Sequence, residues 1–171
     1  REGKCSSDPY ADSPLDSGTA LTASIASFPV TVGAGGTRKP YPERNSTTKG
    51  SNSVFSTITS AGGGVGAPNS TFPGHDCGAS SGNGGSGGGG RGDPSGNTGG
   101  SGNTPPVSPP QGNNGGTGGQ GPAGYFGGGG GGASTVGNNW SGPNDAGPGG
   151  NGATTHITGS PVVYAGGGAG G

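Results

Sequence analysis

Few residues in this 171-residue chain have types and spacings that could do chemistry. The only histidines are His75 and His156. His75, Asp76 and Cys77 set three metal-binding residue types side by side. Adjacent residues rarely share one ion, and no second ligand pair such as C-x₂-C accompanies them. The triplet therefore reads as a loop with a structural cysteine, and no metal site is expected. His156 stands in a strand-like segment, Thr154-Thr155-His156-Ile157, and reads as a surface or packed side chain. No nucleophile elbow supports a Ser/His/Asp triad. Spacings that match G-x-G-x-x-G are unavoidable in a chain with 49 glycines. A dinucleotide site needs a strand before that motif and a helix after it, and no helix is available here. Lys49-Gly50-Ser51 lacks the rest of a phosphate loop. The expectation is a non-enzymatic chain without a cofactor.

Two short motifs carry recognition chemistry elsewhere. Arg91-Gly92-Asp93 spells the tripeptide that some animal cell-surface receptors read, and chance in this composition accounts for it. Asn45, Asn69 and Asn139 begin N-x-[ST] sequons, which matter only in a secretory pathway that glycosylates. The aromatic residues are more informative. Tyr41, Phe72, Tyr125, Phe126 and Trp140 fall between glycine runs and never within them. If the runs pack, these side chains lie at the ends or edges of the packed unit. There they serve either as recognition anchors on a rigid scaffold or as caps that exclude water. Tyr41, Tyr125, Phe126 and Trp140 are the candidate receptor-contact residues. Cys5 and Cys77, the only cysteines, either close one disulfide worth roughly 4 kcal/mol in the chain-entropy model or stay as two thiols.

The elements that must position these residues are unusual. Glycine and proline supply 49 and 16 residues, whereas apolar types make up only 22%. An ordinary apolar core cannot form from that inventory. No stretch nears 18 consecutive apolar residues, so membrane insertion is not expected. Seven basic against eight acidic residues leave a net charge of -1, which argues against nucleic acid as a partner. The chain opens on Arg1 and closes on the run 166–171, which reads as a processed chain or a fragment. No signal-peptide pattern is visible.

Glycine is concentrated after residue 60; the first sixty residues hold six of the 49. That shift divides the chain into a β-rich lead-in, 1–60, and a glycine-rich region, 61–171. In the lead-in, Leu21 to Ile25 alternates apolar and polar residues, and Phe28, Val30 and Val32 continue the pattern after a slip. Strands with one buried face are expected there. Ser53 to Ser60 is rich in β-branched residues and reads as one further strand. Between them, 37–49 is polar, holds two prolines and five charges, and reads as an exposed loop. A last strand is expected over Pro161 to Ala165.

In 61–171, glycine runs recur about every 17 residues, separated by Pro, Asn and aromatic segments. Collagen is excluded, because the chain does not keep glycine at every third position without a break. α-Helix is not expected among residues so poor at forming it. A flexible linker would not need turn residues beside each run or β segments at both ends. The reading that accommodates them is a bundle of polyglycine-II helices, held by backbone hydrogen bonds between neighbours. The expected fold class is thus mostly irregular and β, with short strands leading into such a bundle.

The segment Phe28-Pro29-Val30-Thr31-Val32-Gly33-Ala34-Gly35-Gly36 resembles the strand-into-glycine signature of glycine-rich phage tail-fibre proteins. Asn52 to Gly64 resembles the next stretch of those sequences: Asn-Ser, an aromatic, a short strand and a glycine run. Val162 to Gly168 is similar in style. The charged insert at 37–49 departs from that pattern, which usually continues with glycine. The resemblance implies an extracellular virion component at or near a fibre tip. It implies a bacterial surface receptor, protein or glycan, as one partner, and other fibre subunits or copies of the same chain as others. More distantly, the chain is similar to tip adhesins of T-even-like phages, whose polyglycine-II sandwich presents loops to the host. The alternative class is a glycine-rich extracellular filament or matrix protein. An ice-binding protein would want a flat face of regularly spaced Thr or small side chains, and the sequence has no such regularity.

Overall fold

A computed structural model describes residues 7, 9, 11–16, 21–22, 24–37, 47–66, 82–94 and 96–171. Among them there is no helix. Seven strands of two or three residues form three small antiparallel sheets. Strands β1 (Val30–Thr31), β2 (Ser53–Phe55) and β3 (Ile58–Ser60) make the first. Strands β4 (Gly119–Gly121) and β5 (Gly124–Phe126) make a hairpin, as do β6 (Ala153–Thr155) and β7 (Val162–Tyr164).

The sheets join a body made of glycine. Every buried described residue is glycine except Ser13, Ala133 and Ala153. No large side chain is fully buried among the described residues. What replaces the core is visible in the run 127–133. The N–H groups of Gly127, Gly130 and Ala133 donate to the carbonyls of Gly171, Gly168 and Ala165, at 2.7, 2.8 and 3.0 Å. Those of Gly128 and Gly131 donate to Gly90 and Gly87. Those of Gly129 and Gly132 donate to Asn138 and Thr135. The partner repeats every third residue. A backbone with three residues per turn and no internal hydrogen bonds has this property, because each donor direction returns once per turn. The carbonyls obey the same rule. Gly127 and Gly130 accept from Gly147 and Gly150, and Gly129 and Gly132 accept from Gly116 and Asn113. The run is thus a polyglycine-II helix with neighbours on five sides.

Successive runs alternate in direction. Gly115 and Gly118 donate to Gly100 and Asn97, so 96–103 and 111–119 are antiparallel. The same three-residue, opposed step relates 111–119 to 127–133, through Asn113 to Gly132 and Gly116 to Gly129. It relates 146–152 to 165–171 through Gly167 to Gly150 and Gly170 to Gly147. The chain therefore runs back and forth, and its connections collect at two ends.

Glycine is required where the axes approach. A Cβ placed on Gly131 would lie 1.9 Å from the Asn113 carbonyl oxygen, which belongs to the backbone and has nowhere to go. Each hydrogen bond gained adds only about 1 kcal/mol net, and ordering glycine costs more entropy than ordering any other residue. The fold closes because each residue of an inner run donates to one neighbour while most of its carbonyls accept from others.

At the edges, side-chain oxygens stand in for the missing neighbour. Asn139 Oδ1 accepts from Thr117 N–H at 2.7 Å, Asn114 Oδ1 from Gly102 N–H at 2.8 Å, and Asn83 Oδ1 from Ser101 N–H at 2.7 Å. Gln111 Oε1 does the same for Ala61 N–H, and Asn52 Oδ1 for Gly62 N–H. Asn beside glycine reads as turn chemistry in the sequence; in the fold these amides also cap unpaired donors on adjacent runs.

The lead-in differs from expectation in two ways. The alternation over Leu21 to Val32 forms only β1, with Ile25 and Val32 almost fully exposed. Alternation needs an apolar layer to face, and the described residues offer none beyond the Phe28–Phe55 ring stack at 5.9 Å. Ser53 to Ser60 is two strands rather than one. Ser56, at φ 52°, turns the chain so that Phe55 pairs with Ile58. β7 lies within the expected last strand.

A Gly131→Ala substitution is expected to lower stability by more than about 2 kcal/mol, the scale of a group forced into packed structure. Gly35→Ala, where an added Cβ meets nothing within 4 Å, should stay within about 1 kcal/mol. Thermal melts followed by circular dichroism of both variants make the comparison.

Candidate functional site

Three connections meet at one end of the bundle: 91–96, 119–126 and 140–146. Each is set by its local sequence. Gly121-Pro122-Ala123-Gly124 turns β4 into β5, with Gly124 at φ 146°, a region that side chains avoid. Register places Gln120 opposite Tyr125 and Gly119 opposite Phe126. In the third connection Ser141 N–H donates to the Asp145 carbonyl at 3.1 Å, and Gly142, at φ 79°, allows the tight reversal.

The structure brings three of the four candidate receptor-contact residues together here. Consecutive strand residues face opposite ways. Tyr125 is accordingly exposed, at 57%, while Phe126 is half-buried. The Phe126 ring lies 3.2 Å from where Gly121 would carry a Cβ, and the Pro143 carbonyl lies 2.2 Å from the same point. Trp140 is half-buried, and its N–H donates to the Thr117 carbonyl at 2.9 Å. Its indole covers Gly119 so closely that a Cβ there would meet Nε1 at 1.9 Å. Phe126 and Trp140 thus seal the glycine runs, and Tyr125 faces outward. The fourth candidate, Tyr41, lies outside the described residues, as do Phe72, His75, Asp76 and the two cysteines. Within 37–49, only Thr37 and 47–49 are described, and Thr37 N–H donates to Thr48 Oγ1 at 3.1 Å.

The first connection carries the Arg91-Gly92-Asp93 triplet, which is built into the bundle end. Gly92 is buried, and a Cβ on it would meet the Phe126 nitrogen at 2.3 Å. The Asp93 carboxylate accepts from Asn97 Nδ2, and the Asp93 carbonyl accepts from Gly96 N–H at 3.1 Å. Arg91 Nη1 is buried without a hydrogen-bond partner among the described residues. Of the sequons, Asn139 alone is described, and its side-chain oxygen is committed to Thr117.

No group of three His, Cys, Asp or Glu side chains that could hold a metal occurs among the described residues. No described helix is long and apolar enough to cross a membrane. His156 lies at the opposite end of the bundle, between β6 and β7, with Nδ1 buried and without a partner among the described residues.

A polyglycine-II body with Tyr125, Phe126 and Trp140 on the connections at one end defines a glycine-rich, backbone-bonded fold. The family comparison agrees: the model of the glycine-rich domain family matches residues 14–171, and the chain belongs to that family. No curated protein and no solved structure matches the chain.

Trp140 is the chain's single tryptophan, so its fluorescence reports on the seal. Gly119→Ala is expected to push the indole outward and shift its emission to the red, with the cooperative melt retained. Unchanged emission would show that the indole does not lie over Gly119.

Proposed function

We propose that the chain is a non-enzymatic virion component, a phage tail-fibre or fibre-tip segment that presents loops to a receptor on the bacterial surface. The observation that supports this reading is the convergence of three loops at one end of a backbone-bonded scaffold, with Tyr125 exposed among them. Loops fixed by a rigid support carry recognition at low ordering cost, because the support has already fixed their anchors. Tyrosine suits the role, since its ring supplies apolar area and its hydroxyl a hydrogen bond at little cost in side-chain entropy. The resemblance of Phe28–Gly36 and Asn52–Gly64 to tail-fibre sequences points to the same class. In this reading Tyr125 is the contact residue, and Phe126 and Trp140 hold its loop in place. Gln120, exposed and opposite Tyr125 in the hairpin, offers an amide beside the ring.

The test is binding of the purified chain to a panel of bacterial cells. Saturable binding to one host is expected, and Tyr125→Ala should weaken it at least tenfold, about 1.4 kcal/mol. The melt of that variant should match the parent chain, because Tyr125 is more than half exposed. Binding that is unchanged in Tyr125→Ala would contradict the assignment of this end.

A further inference from the structure

The run 127–133 has neighbours on five of its six sides, and no run among the described residues occupies the sixth. Its N–H groups serve three neighbouring runs, and its carbonyls at 127, 129, 130 and 132 serve two more. The carbonyls of Gly128 and Gly131, again three residues apart, accept from no N–H among the described residues. They border a groove of about 530 Å³ between the runs at 86–92 and 166–171, with Gly63, Gly64 and Gly66 on its far side. The Gly128 carbonyl points between the two walls. Its oxygen lies 2.0 Å from where Gly89 would carry a Cβ and 3.0 Å from the same point on Gly170.

The groove therefore has the hydrogen-bonding needs of one more polyglycine-II helix. An occupant must bring N–H groups at three-residue intervals. It must also approach Gly89 and Gly170 without side chains of its own. A folded partner surface or an ordinary peptide with a Cβ at each residue fails the second condition. The chain itself displays a segment that brings such N–H groups and is glycine throughout except for Ala169. In 166–171, residues 166, 168, 169 and 171 are exposed. The N–H groups of Gly166 and Ala169, three residues apart, donate to nothing among the described residues. This segment is already ordered by its bonds to 127–133 and 146–152, so little ordering cost is added when it docks.

The geometry points to head-to-tail association, in which the groove of one copy takes the exposed 166–171 run of a second copy. The carbonyls of Gly128 and Gly131 accept from its spare N–H groups. Because the accepting carbonyls of Gly128 and Gly131 and the donating N–H groups of Gly166 and Ala169 are different groups, the contact is heterologous and propagates into short chains or a closed ring, although 166–171 also walls the groove of its own copy. This is an interaction between copies, and it does not rest on receptor binding.

Sedimentation velocity on the full chain, from roughly 1 to 100 μM where weak interfaces associate, tests it. Concentration-dependent growth beyond the monomer is expected. Gly66→Leu should weaken association at least tenfold. An added Cβ at Gly66 finds its nearest atom 3.9 Å away, so the side chain fills the groove and leaves the fold intact. Gly35→Leu, outside this groove, should associate like the parent chain. A synthetic peptide spanning Tyr164 to Gly171, added in excess to the unmodified chain, should lower the sedimentation coefficient, which keeps the test valid if Gly66→Leu folds poorly. A chain that stays monomeric throughout, association unaffected by the peptide, or equal association of a folded Gly66→Leu would each overturn the proposal.

Discussion

The constraint on which this structure depends is the distance between backbones. Polyglycine-II helices bond to one another only when their axes come close enough for N–H and C=O groups to meet on every side, and a Cβ on an inner face prevents that approach. The Asn113 carbonyl beside Gly131 makes the point at atomic scale, at 1.9 Å from a hypothetical Cβ. Residues with side chains are therefore driven to the ends and edges. Ala133 and Ala153 are the largest apolar residues that the interior admits. The hydrophobic effect, dominant in ordinary domains, contributes little here, and cooperativity arises from the mutual dependence of runs that share acceptors.

The same constraint explains where recognition can occur. A lattice of glycine backbones is nearly featureless along its sides, offering repeated carbonyls and amides to any similar strand. Chemical individuality is confined to the connections, which alternate between two ends because consecutive runs are antiparallel. The 91–96, 119–126 and 140–146 connections share one end, and between them they hold an exposed phenol, two sealing aromatics and an engaged carboxylate. Side-by-side strand bonding suits assembly, whereas loop ends suit contact with something unlike the chain itself. Both surfaces are present on one molecule.

Much of this was legible in the residues. The break in any Gly-x-y register, the turn residues beside each run and the lack of apolar residues together pointed to a polyglycine-II bundle with short strands and no helix. The placement of Tyr125, Phe126 and Trp140 between runs anticipated their location at a bundle end, whereas Tyr41 and Phe72 lie outside the described residues. Three features were not legible. The 53–60 hairpin depends on a serine, Ser56, in a left-handed conformation that its neighbours impose. The β4–β5 hairpin is built largely of glycine, so it has no alternation to read. The capping amides of Asn139, Asn114 and Asn83 act on runs 18 or more residues away, except Asn114, whose partner is 12 residues away. Such distant pairings carry no local signature. Periodicity also misled over Leu21 to Val32, because alternation signals a buried face only when a second layer exists to bury it.

Hydrogen exchange of the seven consecutive amides from Gly127 to Ala133 tests the central claim most directly. A polyglycine-II helix inside a bundle bonds every one of them to a different neighbour in rotation, so the account predicts protection at all seven, lost together in one cooperative transition. Protection at alternate residues would indicate an edge β-strand, and exchange at free-chain rates would indicate a flexible linker. Either result would contradict the fold on which the rest depends.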